Sequence, residues 1–352
     1  LEAVSSALKS VPMASTIRDV AQKAGVGLAT VSRVLNNSPL VTDATRQRVQ
    51  QAIAELDYSP NPTARRLSLG KTHTIAVIAP WFTRPAFVER LRGVENTLAD
   101  TTYDLILYNV ENIEKRDLYF RSVPRPDRAD GVLIISLPPR DEDVHFLAQS
   151  QVPIVLVDAN HPSLTLFNRV IIDDVSGGQK ATQHLIELGH QRIAYLSDNL
   201  ESPFKFTASY DRYVGFQRAL EAAQIPLRPE YQRMGEHSRS VAKSLAQQLL
   251  TLPERPTAIF AASDTQAMGV LEAARELGLA VPHDLSVVGY DDIEIAEYLG
   301  LTTVRQQLYQ SGKRGVELLL SALQMNTTEP IAELLPVEMV VRHTTAPPPA
   351  GH

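Results

Sequence analysis

Apolar positions along the chain follow two rhythms, a helical one before residue 70 and an alternation of strand-like and helical runs after it. In the first part, Ser15 or Thr16 caps a helix from Ile17 to Lys23, with Asp19 in its favourable first turn. Ala24-Gly25-Val26-Gly27 forms a tight turn, a second helix runs from Leu28 to Leu35, and Asn36-Asn37 closes it. Thr42 caps a third helix whose body is Thr45 to Leu56; Val49, Ile53 and Leu56 recur at spacings of four and three, giving one buried face. Two short helices joined by a glycine turn and braced by a third make a helix-turn-helix. None is stable singly, so Val20, Ala21, Val26, Val31, Val34 and Leu35 are expected to share a small core with the third helix. Gly25 suits a backbone position of positive φ.

From Thr74 onward, apolar runs of strand length alternate with helical stretches. Strands are expected at 74–79, 104–108, 131–137, 153–157 and 169–172, with helices beginning near Ala86, Ile113 and Arg140 and another running from Gly177-Gly178 through Leu188. After Gly189-His190 the series restarts, with strands at 192–196, 257–261 and 285–288 and helices at 213–223, 241–250 and 265–277. Continuous Val, Ile and Leu strands belong to parallel sheets covered on both faces, so two α/β lobes are expected. The segment Tyr119 to Asp130, with FRSVPRPDR inside it, interrupts a helix and leaves that boundary open. Between the two parts, Tyr58-Ser59-Pro60-Asn61-Pro62 ends the trihelical unit. The following Thr63 to Leu69 is long enough only for a helix that is marginal alone.

Size and charge sharpen this division. At 352 residues the chain is too long for one compact core. With no cysteine, disulfides, thiolate chemistry and Cys-based zinc fingers are excluded. Apolar runs stay under ten residues, short of a membrane span. Residues 1–14 do not read as a signal peptide and are expected to be a disordered leader. From Ser15 to Lys71 eight Lys or Arg stand against four Asp or Glu, an excess of +4; with −6 over the whole chain, the remainder carries −10. A small basic module on an acidic body suits a domain that meets phosphates and a body that need not.

The residues of the second helix carry matching chemistry. Arg33 can fork onto guanine O6 and N7, and Leu28 and Ala29 can touch thymine methyls. Thr30, Ser32 and Thr16 at the first helix N-terminus suit phosphate. TIRDVAQKAGVGLATVSRVLNN followed by VTDATRQRVQQAIAELDYSPNPTARRL resembles the N-terminal segment of the LacI/GalR family of bacterial transcriptional regulators. That resemblance implies that Leu28, Ala29 and Arg33 read bases in the major groove. Gly27 departs from it, standing where the family usually places a capping serine. It also implies a hinge helix that enters the minor groove, with Leu67 as a wedge and Asn61, Ala64 and Arg65 beside it; a plain interdomain linker is the alternative.

The body resembles the same family's core through RADGVLIIS, VIIDDVSGGQKATQHLIELGHQRIAYL, DRYVGFQRAL, PTAIFAASDTQAMGVLEAARELGLAVPHDLSVVGYDD and LTTVRQ. The fold implied is a periplasmic-binding-protein-like pair of Rossmann-like parallel-sheet lobes behind a helix-turn-helix headpiece. The expected division is leader 1–14, headpiece 15–60, hinge 61–72, core 73–345 and flexible tail 346–352. Within the core, the N-lobe takes about 73–173 and 306–332, and the C-lobe about 174–305 and 333–345.

Two facing lobes bind small molecules in the cleft at their strand ends. Trp81, Phe82, Asp158, Ser263, Asp264, Asp291 and Asp292 follow expected strands, and Arg212 opens a helix. The resemblance assigns effector contacts to Arg212 and Asp291, and ligand-dependent contacts to Trp81, Phe82, Asp158, Ser263 and Gln306. Asp264 is as readily a helix cap as a ligand contact, Asp292 is expected at the solvent, and Asp173 and Asp174 are expected to cap the next helix rather than bind metal. GxSxG, HExxH, GxGxxG and GxxxxGK[ST] are all missing, so no enzyme, metal or cofactor is expected, and His161, His184 and His190 read as ordinary packing or surface residues. The expected protein is a cytoplasmic, homodimeric repressor with no membrane partner, associated with the nucleoid when bound. It would bind a near-palindromic operator under allosteric control by a small effector, with a carbohydrate as the first choice. A corepressed regulator responding to a purine or nucleoside, and a sugar-binding transport protein, are the alternatives. The helix from Pro85 to about Leu98 is implied at the dimer interface, with 264–277 as a second candidate.

Overall fold

The computed structural model describes residues 15–59, 71–324 and 329–349. It divides into two compact units, Leu1–Gly70 and Lys71–His352.

In the first unit, α1 (Ile17–Ala24), α2 (Leu28–Leu35) and α3 (Asp43–Glu55) follow the expected order. Thr16 caps α1: its hydroxyl accepts from Asp19 N and its backbone N–H donates to Asp19 Oδ2 at 2.8 Å, closing a capping box, while the hydroxyl also donates to Asp19 Oδ2 at 2.7 Å. The helix stops at Gly25, whose φ of 65° a side-chain-bearing residue adopts with strain. Gly27 occupies the N-cap of α2 without a side-chain bond. Thr42 stands at the N-cap of α3, but its hydroxyl donates to Thr45 Oγ1 rather than accepting from the backbone. Val20, Val31 and Val49, one from each helix, are fully buried at the centre, with Val26, Leu35, Ile53 and Leu56 packed around them.

The second unit holds two six-stranded sheets. β1 (Thr74–Pro80), α4 (Pro85–Leu98), β2 (Asp104–Val110), α5 (Ile113–Ser122), β3 (Gly131–Ile135), α6 (Asp141–Ala148), β4 (Ile154–Val157) and β5 (Asn168–Ile172) build the first lobe. The second comprises α7 (Asp174–Glu187), β6 (Ile193–Asp198), α8 (Ala208–Ala222), β7 (Gln232–Gly235), α9 (Arg239–Leu250), β8 (Ala258–Ala261), α10 (Asp264–Glu276), β9 (Ser286–Asp291), α11 (Glu294–Tyr298) and β10 (Thr302–Arg305). The chain then returns through α12 (Leu308–Gln324) to β11 (Ala332–Leu335) in the first sheet and ends with β12 (Glu338–Val340) in the second. The strand orders are β11-β5-β4-β3-β1-β2 and β12-β10-β9-β8-β6-β7, and every pairing is parallel except β10 with β12. Every residue of β1, β3 and β4 is buried, as their unbroken apolar sequence requires, whereas edge strand β2 is open to solvent over its first half.

Several boundaries differ from the sequence reading. β11 continues to Leu335, so the last lobe crossing falls at 336–337 rather than near 332. α5 ends at Ser122, two residues before Pro124, and a turn carries the chain to Ala129, whose amide donates to Arg125 O. α8 begins at Ala208, a turn ahead of Tyr213. The expected free tail is tied at Ala346, whose amide donates to Ser286 and whose carbonyl accepts from the same hydroxyl and meets the buried ring of His190. The leader and most of the hinge lie outside the described residues. Among the described residues no helix is long and apolar enough to cross a membrane.

α4 and α12 cross at backbone contact. A Cβ on Gly93 would stand 2.1 Å from Tyr309 O, and one on Gly312 would stand 2.0 Å from Arg90 O, so only glycine permits the approach.

Candidate functional site

In the first unit, α2 turns Val31 and Val34 into the core and presents Leu28, Ala29 and Arg33 outward, Leu28 being 45% exposed. Thr16 is exposed at the α1 N-terminus, while Thr30 and Ser32 are half-buried. Asn61, Ala64, Arg65 and Leu67 lie outside the described residues.

In the second unit, a cleft with about 780 Å³ of space, part of it open to solvent, lies where the carboxyl ends of both sheets face one another. Seven strands deliver a side chain there at or just past their ends: Trp81 after β1, Ser136 after β3, Asp158 after β4, Asp198 at the end of β6, Ser263 after β8, Asp291 at the end of β9 and Gln306 after β10. Four of these turn into the cleft through positive φ, with values of 40° at Trp81, 51° at Ser136, 56° at Asp158 and 117° at Asp291. Such conformations cost about 1–3 kcal/mol each in non-glycine residues and gather where a side chain must be aimed.

A continuous polar chain crosses the cleft floor from one lobe to the other. Asp158 Oδ2 accepts from Ser136 Oγ and, at 3.0 Å, from Arg90 Nη1; Arg90 Nη2 reaches Gln306 Oε1 at 3.5 Å, and Gln306 Nε2 donates to Asp291 Oδ1. Arg212 Nη1 stands 3.8 Å from that same Asp291 oxygen, while its Nε donates to Asp174 Oδ1 at 2.7 Å and its Nη1 to Ala262 O at 2.7 Å. Burial pushes the Asp291 carboxyl up to about 6 against the opposing pull of Arg212 and His237. Burial works most strongly against the Arg212 cation, but Asp174, Tyr290 and Asp291 together outweigh it and carry its pKa upward. At the other end, burial would raise Asp198, yet His237 and the Ser209 hydroxyl hold it down at about 2. Among the described residues neither Asp158 Oδ1 nor Asp291 Oδ2 has a hydrogen-bond partner.

An aromatic wall faces this floor. Trp81 meets Phe204 and Phe206 edge-on, with ring centroids 5.2 and 5.6 Å away, and the guanidinium of Arg84 lies 4.1 Å over its indole. Trp81, Asp158, Arg212, Ser263, Asp291 and Gln306 thus come together, but Phe82 does not line the cleft. Strand-end residues next to one another point apart, and the place on the aromatic wall goes to Phe206 from the opposite lobe. Ser263 both lines the cleft and caps α10, its Oγ accepting from Gln266 N.

Three carboxylates have other roles than expected. Asp264 neither caps nor lines the cleft: fully buried, it accepts from Thr303 Oγ1 at 2.6 Å and Ile293 N at 3.0 Å, pinning β10 and the chain after β9. Asp292 is not at the solvent; its side chain is 6% exposed between Arg305 and Arg342, each at 2.7 Å. Asp173 caps α7 by accepting from Ser176 N, but Asp174 is the counter-ion of Arg212. Among the cleft residues that the sequence reading missed are Arg84, Arg90, Ser136, Asp198, Phe206, Ser209 and His237. Arg90 had a signal: it interrupts the buried stripe Phe87, Val94 and Leu98 of α4, where an arginine must find buried partners. Among the described residues no cluster of His, Asp and Glu could hold a metal ion. His184 and His190 serve to anchor the C-terminal segment, through Thr345 and Ala346.

Comparison with known proteins matches both units. Residues 16–61 fit the model of bacterial regulatory proteins of the lacI family, and 182–345 fit a periplasmic binding protein-like domain. The HTH-type transcriptional repressor PurR of Vibrio parahaemolyticus is 35% identical over 94% of this chain and 98% of its own length. Among solved structures, the lac repressor dimer bound to operator and the anti-inducer ONPF is similar with a TM-score of 0.81 at 30% identity, covering 94% of this chain and 99% of that one. The complex of transcriptional regulator CelR with cellobiose is similar with a TM-score of 0.69 at 31% identity, over 94% and 99% of the two chains.

Proposed function

The chain belongs to the LacI family of bacterial regulatory proteins, and from that footing we propose a repressor whose hold on DNA is set by a carbohydrate in the interlobe cleft. Its relatives are transcriptional regulators rather than enzymes. In this reading α2 lies in the major groove. Arg33 pairs with a guanine edge, Leu28 and Ala29 touch thymine methyls, and Thr16, Thr30 and Ser32 meet phosphates. One trihelical unit spans a few base pairs, so two copies on a twofold axis read a near-palindrome, with Asn61, Ala64, Arg65 and Leu67 at the minor groove between them.

The observation that carries the effector assignment is the pair of unengaged carboxylate oxygens, Asp158 Oδ1 and Asp291 Oδ2, one from each lobe. Carboxylate oxygens accept from hydroxyl donors, and an aromatic wall opposite packs on the C–H face of a ring. Of the lining cations, Arg90 and Arg212 already have carboxylate partners and Arg84 lies over the Trp81 indole, which suits an uncharged polyol. A sugar touching both lobes has differential affinity for one lobe arrangement, and that difference shifts the spacing of two headpieces. Thermal-shift measurements with D-glucose, D-ribose, cellobiose, adenosine and hypoxanthine test the assignment. A sugar should raise the melting temperature of wild type and not of Asp291→Ala; a shift with adenosine or hypoxanthine alone would replace the carbohydrate with a purine ligand.

A further inference from the structure

Arg90 is 2% exposed, yet it carries a full guanidinium into the floor of the cleft from the middle of α4. A buried arginine is tolerated only when its donors are met, and here they are met by groups that otherwise have independent positions. Its Nε donates to Ser311 Oγ at 2.8 Å, its Nη1 to Ser136 Oγ at 3.1 Å and Asp158 Oδ2 at 3.0 Å, and its Nη2 to Gln306 Oε1 at 3.5 Å. These acceptors sit after β3, after β4, on the lobe crossing before α12, and on α12 itself. The same residue's carbonyl oxygen touches Gly312 at the α4–α12 crossing. Among the described residues, no other cleft side chain hydrogen-bonds both Asp158 and Ser311.

We propose that Arg90 is a positioning residue of the effector site, holding Asp158, Ser136 and Gln306 in the geometry a sugar meets and tying that geometry to α12 through Ser311. The inference rests on the carbohydrate reading of the cleft. The guanidinium is planar, so its donors fan out in fixed directions, and a displacement of Asp158 by ligand turns the fork as a unit. Ser311 and Gly312 register that turn at the helix crossing. Lysine in the same place keeps the charge but offers one nitrogen, which cannot satisfy four acceptors at four positions.

The test uses Arg90→Lys and, in case that protein folds poorly, Arg90→Gln. Crystal structures without sugar should show the side chains of Asp158 and Gln306 displaced by more than about 0.5 Å, the tolerance within which a binding constellation works. Calorimetric titration with cellobiose and with D-ribose should show at least a tenfold loss of affinity relative to wild type. Asp158 and Gln306 unmoved in a variant that is merely less stable would reduce Arg90 to a packing residue and overturn the proposal. If neither sugar binds the wild type, the carbohydrate assignment fails by itself, and the displacement in the sugar-free crystals still decides the role of Arg90.

Discussion

Arg212 lies on the ring of Tyr290, its guanidinium carbon 3.7 Å from the ring centroid, and both side chains are buried. The ring face supplies an electrostatic partner on the side where no hydrogen bond is possible, and Asp174 supplies the charge in the plane. An arginine so held has a fixed orientation before any ligand arrives, which lowers the ordering cost of binding. Replacing Asp174 with alanine should strip that cation of its hydrogen-bonded counter-ion, leaving only the longer contact with Asp291, and lower unfolding free energy by about 3 kcal/mol in a urea titration. A change under about 1 kcal/mol would mean that the pair contributes little to holding Arg212.

In the proposed carbohydrate site, Asp291 should link ligand affinity to pH. Its pKa of about 6 leaves it largely ionised at neutral pH and largely protonated at pH 5. A protonated carboxyl surrenders acceptor capacity toward sugar hydroxyls, so affinity should fall as pH drops from 7.5 to 5. Asp291→Asn should bind roughly 10- to 100-fold more weakly at pH 7.5, the worth of a charge-assisted bond, and show a flatter profile. Calorimetry across that range reads both effects.

Asp211, in the first turn of α8, carries a pKa raised to about 6, first by burial and then by repulsion from Asp174. A folded pKa above the ordinary value of 3.8 means that its contribution to stability is present at low pH and is lost as pH rises through about 6. Asp211→Asn should therefore stabilise the protein at pH 8, by about 1 kcal/mol once solvent screening of a partly exposed group is allowed for. Near pH 3 the gain should vanish. Melting temperatures at the two pH values check the sign.

Gly312→Ala places a methyl against the backbone carbonyl of Arg90, a contact that no rotamer relieves. The expected loss is about 3 kcal/mol, or several degrees in melting temperature. A melting temperature equal to that of wild type would show that α4 and α12 separate without cost.

Much of this architecture was legible because apolar rhythm tracks burial. α2 was read with its observed ends, and β1, β3 and β4 stood out as continuous runs because parallel strands are covered on both faces. Short or edge elements were not read: β7 is Gln-Arg-Met-Gly, half-buried and without apolar pattern, and β10, β11 and β12 have three or four residues each. In the cleft, residues that follow a strand were found by position, as Asp158 and Asp291 show. Arg84, Phe206 and His237 come from loops and helix ends that meet only when the two lobes face each other, and no spacing along the chain encodes that meeting. Asp174 and Asp292 were misplaced for a related reason: Asp174, beside a helix start, looks like a cap and Asp292, after a strand, looks solvated until arginines distant in sequence are brought to them.

The most direct measurement is selection of duplexes from a random pool by wild type and by Arg33→Ala, followed by binding at fixed salt. Wild type should recover a near-palindrome, and Arg33→Ala should lose preference at one base pair of each half-site, with about 1–3 kcal/mol less discrimination there. The same preferred sequence from both proteins, bound with equal discrimination at every position, would contradict the assignment of α2 as the helix that reads bases.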